Sequence, residues 1–170
     1  VQAPPPTVEA ATGTLHQQLI DALHVDISAD DACIVDNGPR WILCRLAHAR
    51  SLRSLQPDMD AVANLCTLHE AVGVSAFGHE VDALHAMAVR AFCPADGIPE
   101  DPVTGSANAA IMAWLAARGD RDGYGLHYLA SQGREVGRDG IVEVARDAAT
   151  GAITIGGRCV IGVHGELRLD

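Results

Sequence analysis

Residues 105–117 read Gly-Ser-Ala-Asn-Ala-Ala-Ile-Met-Ala-Trp-Leu-Ala-Ala, a run of good helix formers that is apolar nearly all round. A helix of this kind is buried on every side. At ~13 residues it is too short to span a bilayer, which takes ~20. It must therefore lie at the centre of something, and other elements of the same chain must surround it.

Strands are the available material. Residues 32–35, 41–46, 74–77, 84–92, 125–130, 140–145, 152–155 and 158–163 have strand composition and are separated by clusters of turn residues. Asp36-Asn37-Gly38-Pro39 between the first two is turn chemistry. In the fourth, His85, Met87 and Val89 alternate with small residues, as packing against a helix requires. Two further helices are expected. Residues 15–23 carry Leu15, Leu19 and Leu23 at four-residue spacing behind a Thr14/Gln17 capping box. Residues 57–72 start at Pro57 and stop before Gly73. The expected architecture is α+β: a mixed β roll or barrel wrapped around one buried central helix, with outer helices. Residues 1–8, with three consecutive prolines, read as a linker entering from a preceding domain, and residues 9–170 as a single lobe.

Composition excludes several functions. The formal net charge is −10, Lys is absent and all 12 basic side chains are Arg, so no nucleic-acid partner is expected. No apolar run is long enough for a membrane span. The five cysteines are odd in number and form no CxxC pair, which argues against a disulfide framework or structural zinc. Most of them sit inside apolar runs and read as small buried hydrophobes, with a reducing cytoplasm as the expected compartment, and the start of the chain has neither the basic end nor the apolar segment of a signal peptide. His79-Glu80 opens like a zinc-protease motif, but the next histidine is His85, off the four-residue spacing, so no metal is expected.

Chemistry concentrates where a strand ends and the apolar helix begins. The loop from Cys93 to Pro102 is acidic and bears Gly and Pro; it leads into Val103-Thr104-Gly105-Ser106-Ala107. The first N–H groups of a helix have no internal partner, and Gly105 brings no side chain to block a ligand. This is a seat for an anion. Without any Lys or a GxxxxGK loop, a carboxylate suits it better than a phosphate. Asp101 at its lip is placed to hold an amine or to move a proton. Thr104-Gly105-Ser106 does not meet the GxSxG pattern of a nucleophile elbow.

The string Glu100-Asp101-Pro102-Val103-Thr104-Gly105-Ser106-Ala107, after a strand ending Arg90-Ala91-Phe92, resembles the signature of the phenazine-biosynthesis (PhzF-like) family, which shares the diaminopimelate-epimerase fold. Residues 35–39 (Val-Asp-Asn-Gly-Pro), Ser131-Gln132-Gly133 with Gly137-Arg138, and residues 155–160 (Ile-Gly-Gly-Arg-Cys-Val) resemble further family segments in the same order. The resemblance covers nearly the whole chain and implies the C-terminal half of a two-lobed isomerase or epimerase. That enzyme would shift a proton on a small carboxylate-bearing amine without metal or other cofactor. By matched position Asp101 and Ser106 are implied as catalytic residues, and Thr104, Gly105 and Ala107 as substrate-binding. The family's general base is a glutamate of the N-terminal lobe, so a partner lobe is expected, on the same or a separate polypeptide, and the isolated chain is expected not to turn over. A homodimer is the expected assembly. The alternative is a non-catalytic binding or dimerisation module built on the same fold.

Overall fold

In the computed structural model, which describes residues 1–82, 85–119 and 123–168, the apolar run is helix α4, Gly105–Ala117, and every residue from Ala107 to Leu115 is buried. Thirteen α-helices and β-strands are found among the described residues. They are β1 (Thr7–Ala10), α1 (Gly13–Leu23), β2 (Ala32–Asp36), β3 (Arg40–Leu46), α2 (Ala49–Arg53), α3 (Met59–Leu68), β4 (Gly73–Asp82), β5 (His85–Cys93), β6 (Ile98–Asp101), α4, β7 (His127–Gln132), β8 (Gly140–Arg146) and β9 (Ile153–Gly156).

The strands form one mixed sheet in the order β1-β2-β3-β4-β5-β7-β8-β9, with β6 paired to β5 off this path. The β3–β4 and β5–β7 pairs are parallel. Parallel neighbours need a crossover. Helices α2 and α3 lie on the first crossover and α4 on the second, which puts helices on opposite faces of the sheet. Side chains sort accordingly with period two. Val35, Leu43, Phe77, Met87 and Val89 pack with Ile111, Met112 and Trp114 of α4. Ile34, Ile42, Val74, Ala88 and Phe92 pack with Leu15, Leu19, Leu52 and Val62 of the outer helices. Burial on both faces explains why these strands read as unbroken apolar runs.

The first ten residues close the roll. Val1 and Ala3 exchange backbone hydrogen bonds with Ile155 and Ile153 of β9, while Thr7–Ala10 pairs antiparallel with β2. The expected linker thus belongs to the sheet at both ends, with the prolines at the crossing between them.

Several expectations need correction. The cap of α1 is Thr12, whose side chain accepts from the Leu15 N–H, and not Thr14. Helix α3 is shorter than the expected 57–72 because Asp58, not Pro57, starts it, accepting from the Asp60 and Ala61 N–H groups. Gly73 is the first residue of β4; a Cβ there would lie 2.6 Å from the Phe92 carbonyl and from the Trp41 ring. In β5, Met87 and Val89 pack toward α4, and the small Ala88 packs toward the outer helices, as close packing against a helix requires. Residues 158–163 form no strand; Val160, Ile161 and Val163 are exposed, and the segment pairs with no strand among the described residues. Leu84, expected to open a strand, lies outside the described residues.

Candidate functional site at the start of the enclosed helix

Strand β6 delivers Asp101 to the N-terminus of α4. It is held on β5 by backbone pairing of Asp101 with Ala91 and of Ile98 with Cys93. Behind it, Arg90 and Glu100 form an ion pair in which both side chains are 7% exposed. Glu100, next to the candidate acid, is thereby committed to a structural partner.

Pro102 and Val103 then lie against the β7–β8 turn. Gly133 has φ +90, and a Cβ on it would come within 2.4 Å of the Pro102 carbonyl oxygen; one on Gly140 would meet the Val103 side chain at 2.3 Å. Two glycines therefore admit the loop that carries the site.

Thr104 is buried and stands at the cap position, but its side chain does not cap the helix. Its hydroxyl donates to Asp101 Oδ2 at 2.5 Å. Gln132, wholly buried, accepts through Oε1 from the Thr104 N–H at 3.1 Å. Gln132 Nε2 donates to the Asp101 carbonyl at 2.9 Å and to Thr104 Oγ1 at 2.8 Å. Asn108, one turn into α4 and wholly buried, donates from Nδ2 to the Thr104 carbonyl (2.8 Å) and to Gln132 Oε1 (3.0 Å).

Ser106 points another way. Its Oγ accepts from the Trp41 indole N–H at 3.2 Å, and its carbonyl accepts from Asn37 Nδ2 at 3.0 Å. Asn37, 2% exposed, ties the β2–β3 turn to the helix start, and its Oδ1 is buried without a partner. The N–H groups of Gly105, Ser106 and Ala107 find no acceptor among the described residues. Beside Gly105 and Ser106 lies a cavity of about 360 Å³, walled largely by Val1, Ala3, Pro39, Ala109 and Ile155. Gly105 faces it with room to spare: a Cβ there would only touch Ile155 at 3.7 Å.

All five expected residues thus gather within one helical turn and the strand before it, but not in identical roles. Gly105 and Ser106 line the cavity. Asp101 does not; it is half-buried and joined to the helix start through Thr104. Ala107 is fully buried, and its side chain belongs to the core around α4. Sequence reasoning left Asn108, Trp41 and the inward face of Gln132 without roles. The signal for Asn108 was present: an amide side chain in the middle of an otherwise apolar helix requires buried partners.

The four buried cysteines offer no nucleophile. All five are free; Cys44, Cys66 and Cys93 are buried, and burial is the main cause that pushes their thiols up, to about 12, about 11 and about 12. Such thiols stay protonated and inert at neutral pH. No group of His, Cys, Asp and Glu among the described residues could hold a metal ion, and no helix among them is long and apolar enough to cross a membrane.

Fold and site together define an α+β protein whose buried polar network is gathered at one end of an enclosed helix. The model of the phenazine biosynthesis-like protein family (PhzC-PhzF) matches residues 2–165, and the chain belongs to that family. It is 32% identical to "Uncharacterized isomerase YddE" of Escherichia coli (strain K12) over 177 aligned positions, covering 93% of this chain and 56% of the relative. It is 31% identical to trans-2,3-dihydro-3-hydroxyanthranilate isomerase of Pseudomonas fluorescens, over 74% of this chain and 42% of that one. The crystal structure of the Bacillus anthracis PhzF-family phenazine biosynthesis protein superposes with a TM-score of 0.67 at 20% identity, covering 91% of this chain and 54% of its own. The chain spans about half the length of the curated relatives it matches first.

Proposed function

We propose that this chain carries the C-terminal half of the active site of an isomerase that moves a proton within a small carboxylate-bearing amine. The observation that carries the reading is the set of unpartnered amides at Gly105, Ser106 and Ala107 beside a half-buried acid, Asp101. The helix start would hold the substrate carboxylate, where the amides and the helix dipole favour negative charge. The Pseudomonas fluorescens relative, named for isomerising a dihydro-hydroxyanthranilate, is an enzyme of an amino-bearing carboxylate, which suits such a seat.

In the proposed reaction a base from a companion lobe takes a proton from carbon. The electron pair of the broken C–H bond delocalises on the substrate toward the bound carboxylate, where the fixed amides stabilise the growing charge. A proton then returns at another position, with Asp101 as the group that holds the amine or delivers it. Nothing is oxidised or reduced, so the chemistry calls for no cofactor. The cytoplasm would be its compartment, and the cavity beside Ser106 would be closed by the companion lobe.

Heavy-water exchange tests this. Candidate amino acids and aminobenzoate-like dihydro compounds are incubated in deuterium oxide with this chain, alone and together with a companion lobe carrying a glutamate, and carbon-bound deuterium is read by mass spectrometry. Exchange that requires both lobes and falls at least a hundredfold in Asp101→Asn is expected. Exchange that survives unchanged in Asp101→Asn would remove Asp101 from the chemistry.

A further inference from the structure

We infer that Gln132 is a positioning residue for Asp101: through the Thr104 hydroxyl it reserves Oδ2 as a hydrogen-bond acceptor and leaves Oδ1 as the one oxygen at which the acid gains and loses its proton. This rests on the proposed function only in taking Asp101 as the acid–base group.

The inference follows from counting donors and acceptors. A Gln carboxamide has two N–H donors and two acceptor lone pairs. Those of Gln132 are all used: Nε2 on the Asp101 carbonyl and Thr104 Oγ1, Oε1 on the Thr104 and Asn108 N–H groups. Turning the amide over would set N–H against N–H at Thr104 and Asn108, so its orientation is fixed by its surroundings. Thr104 Oγ1 therefore receives a proton from Gln132. The hydroxyl has a single proton of its own, and the partner it faces is Asp101 Oδ2, 2.5 Å away. A protonated Oδ2 would face that hydroxyl donor to donor. Oδ1 has no hydrogen bond to any described residue and is left for a ligand.

The arrangement also explains why a wholly polar trio, Gln132, Asn108 and Thr104, occupies the buried base of an otherwise apolar helix. Every donor and acceptor of Gln132 is used, which fixes one geometry for its amide, while Asn108 Oδ1 is buried without a partner among the described residues. Ser131, adjacent on β7 and pointing to the opposite face, donates to Glu80 and accepts from Arg53. That outer clamp fixes the strand from which Gln132 reaches inward.

The test reads Asp101 itself and needs no turnover. The Asp101 carboxyl carbon, labelled with ¹³C and assigned through Asp101→Asn, is followed at one fixed neutral pH in the wild-type chain and in Thr104→Ser, Thr104→Val and Gln132→Ala. Thr104→Val and Gln132→Ala, which remove the hydroxyl or the amide that orients it, are expected to move that resonance, and Thr104→Ser, which keeps the hydroxyl, to leave it at the wild-type position. In Gln132→Ala the Thr104 hydroxyl proton is expected to exchange with water at least tenfold faster. An Asp101 resonance left at the wild-type position in whichever of Thr104→Val and Gln132→Ala folds overturns the inference. Absence of deuterium exchange with an intact Asp101 response would overturn the proposed reaction and leave this network standing.

Discussion

Arg90 and Glu100 face each other across the β5–β6 pair in a two-pronged ion pair, Nε to Oε1 at 3.0 Å and Nη2 to Oε2 at 2.7 Å. Arg90 Nη1 also donates to the carbonyls of Leu55, just past α2, and of Leu52, in its last turn, at 2.9 and 3.3 Å. The guanidinium, carried on β5, therefore binds both β6 and the end of α2 at the back of the site. Removing one partner of a buried pair strands the other, at a cost of ~3–5 kcal/mol. Glu100→Ala is expected to lose about that much in urea denaturation. Equal stability of the variant and wild type would show that β6 is held by its backbone alone.

Glu80 makes the outer clamp pH-dependent. Burial works to raise its pKa, but hydrogen bonds from Ser131 and Arg53, with the charges of Arg53 and Arg134, outweigh burial and hold the carboxyl below its ordinary value. A depressed folded pKa gives stability that is present above the unfolded value, ~4.3, and lost as pH falls through the folded one. Acidification from about pH 5 to about pH 3 should therefore destabilise the wild type more than Glu80→Gln. Parallel melting curves for the two proteins over that range would refute the assignment.

Gly133 is predicted to be irreplaceable. Its φ of +90 disfavours any L side chain, and the Pro102 carbonyl leaves no room for a Cβ. Gly133→Ala should cost ~1–3 kcal/mol from the strained backbone alone. It should also displace Gln132, so the Asp101 resonance should broaden or shift. A variant with wild-type stability and spectrum would mean that the 101–104 loop relaxes away freely.

Much of this fold was legible because one constraint dominated: an all-round apolar helix leaves few options but enclosure, and α4 has the bounds its sequence dictates. The Asp101–Ser106 turn was legible for a related reason, since a buried helix start exposes amides that must serve something. Gln132 and Asn37 were not, because their roles depend on contacts spanning 28 and 69 residues of sequence, which no local pattern encodes. Residues 158–163 misled in the opposite sense. Their β-branched, apolar composition suits a strand, but a strand also needs a neighbour for its backbone groups.

Trp41 offers a native reporter of the helix start. Its ring is 2% exposed and its indole N–H has Ser106 Oγ as acceptor. Ser106→Ala leaves that N–H buried without a partner, which costs ~1–3 kcal/mol. The emission of Trp41, followed in a Trp114→Phe background, should change with that substitution. A carboxylate seated on the Gly105 and Ser106 amides would alter the same environment, so saturable quenching by small aminocarboxylates is expected in the Ser106 form. Quenching of equal strength by uncharged amides of the same compounds would show that the cavity selects for shape and that the helix amides bind no anion.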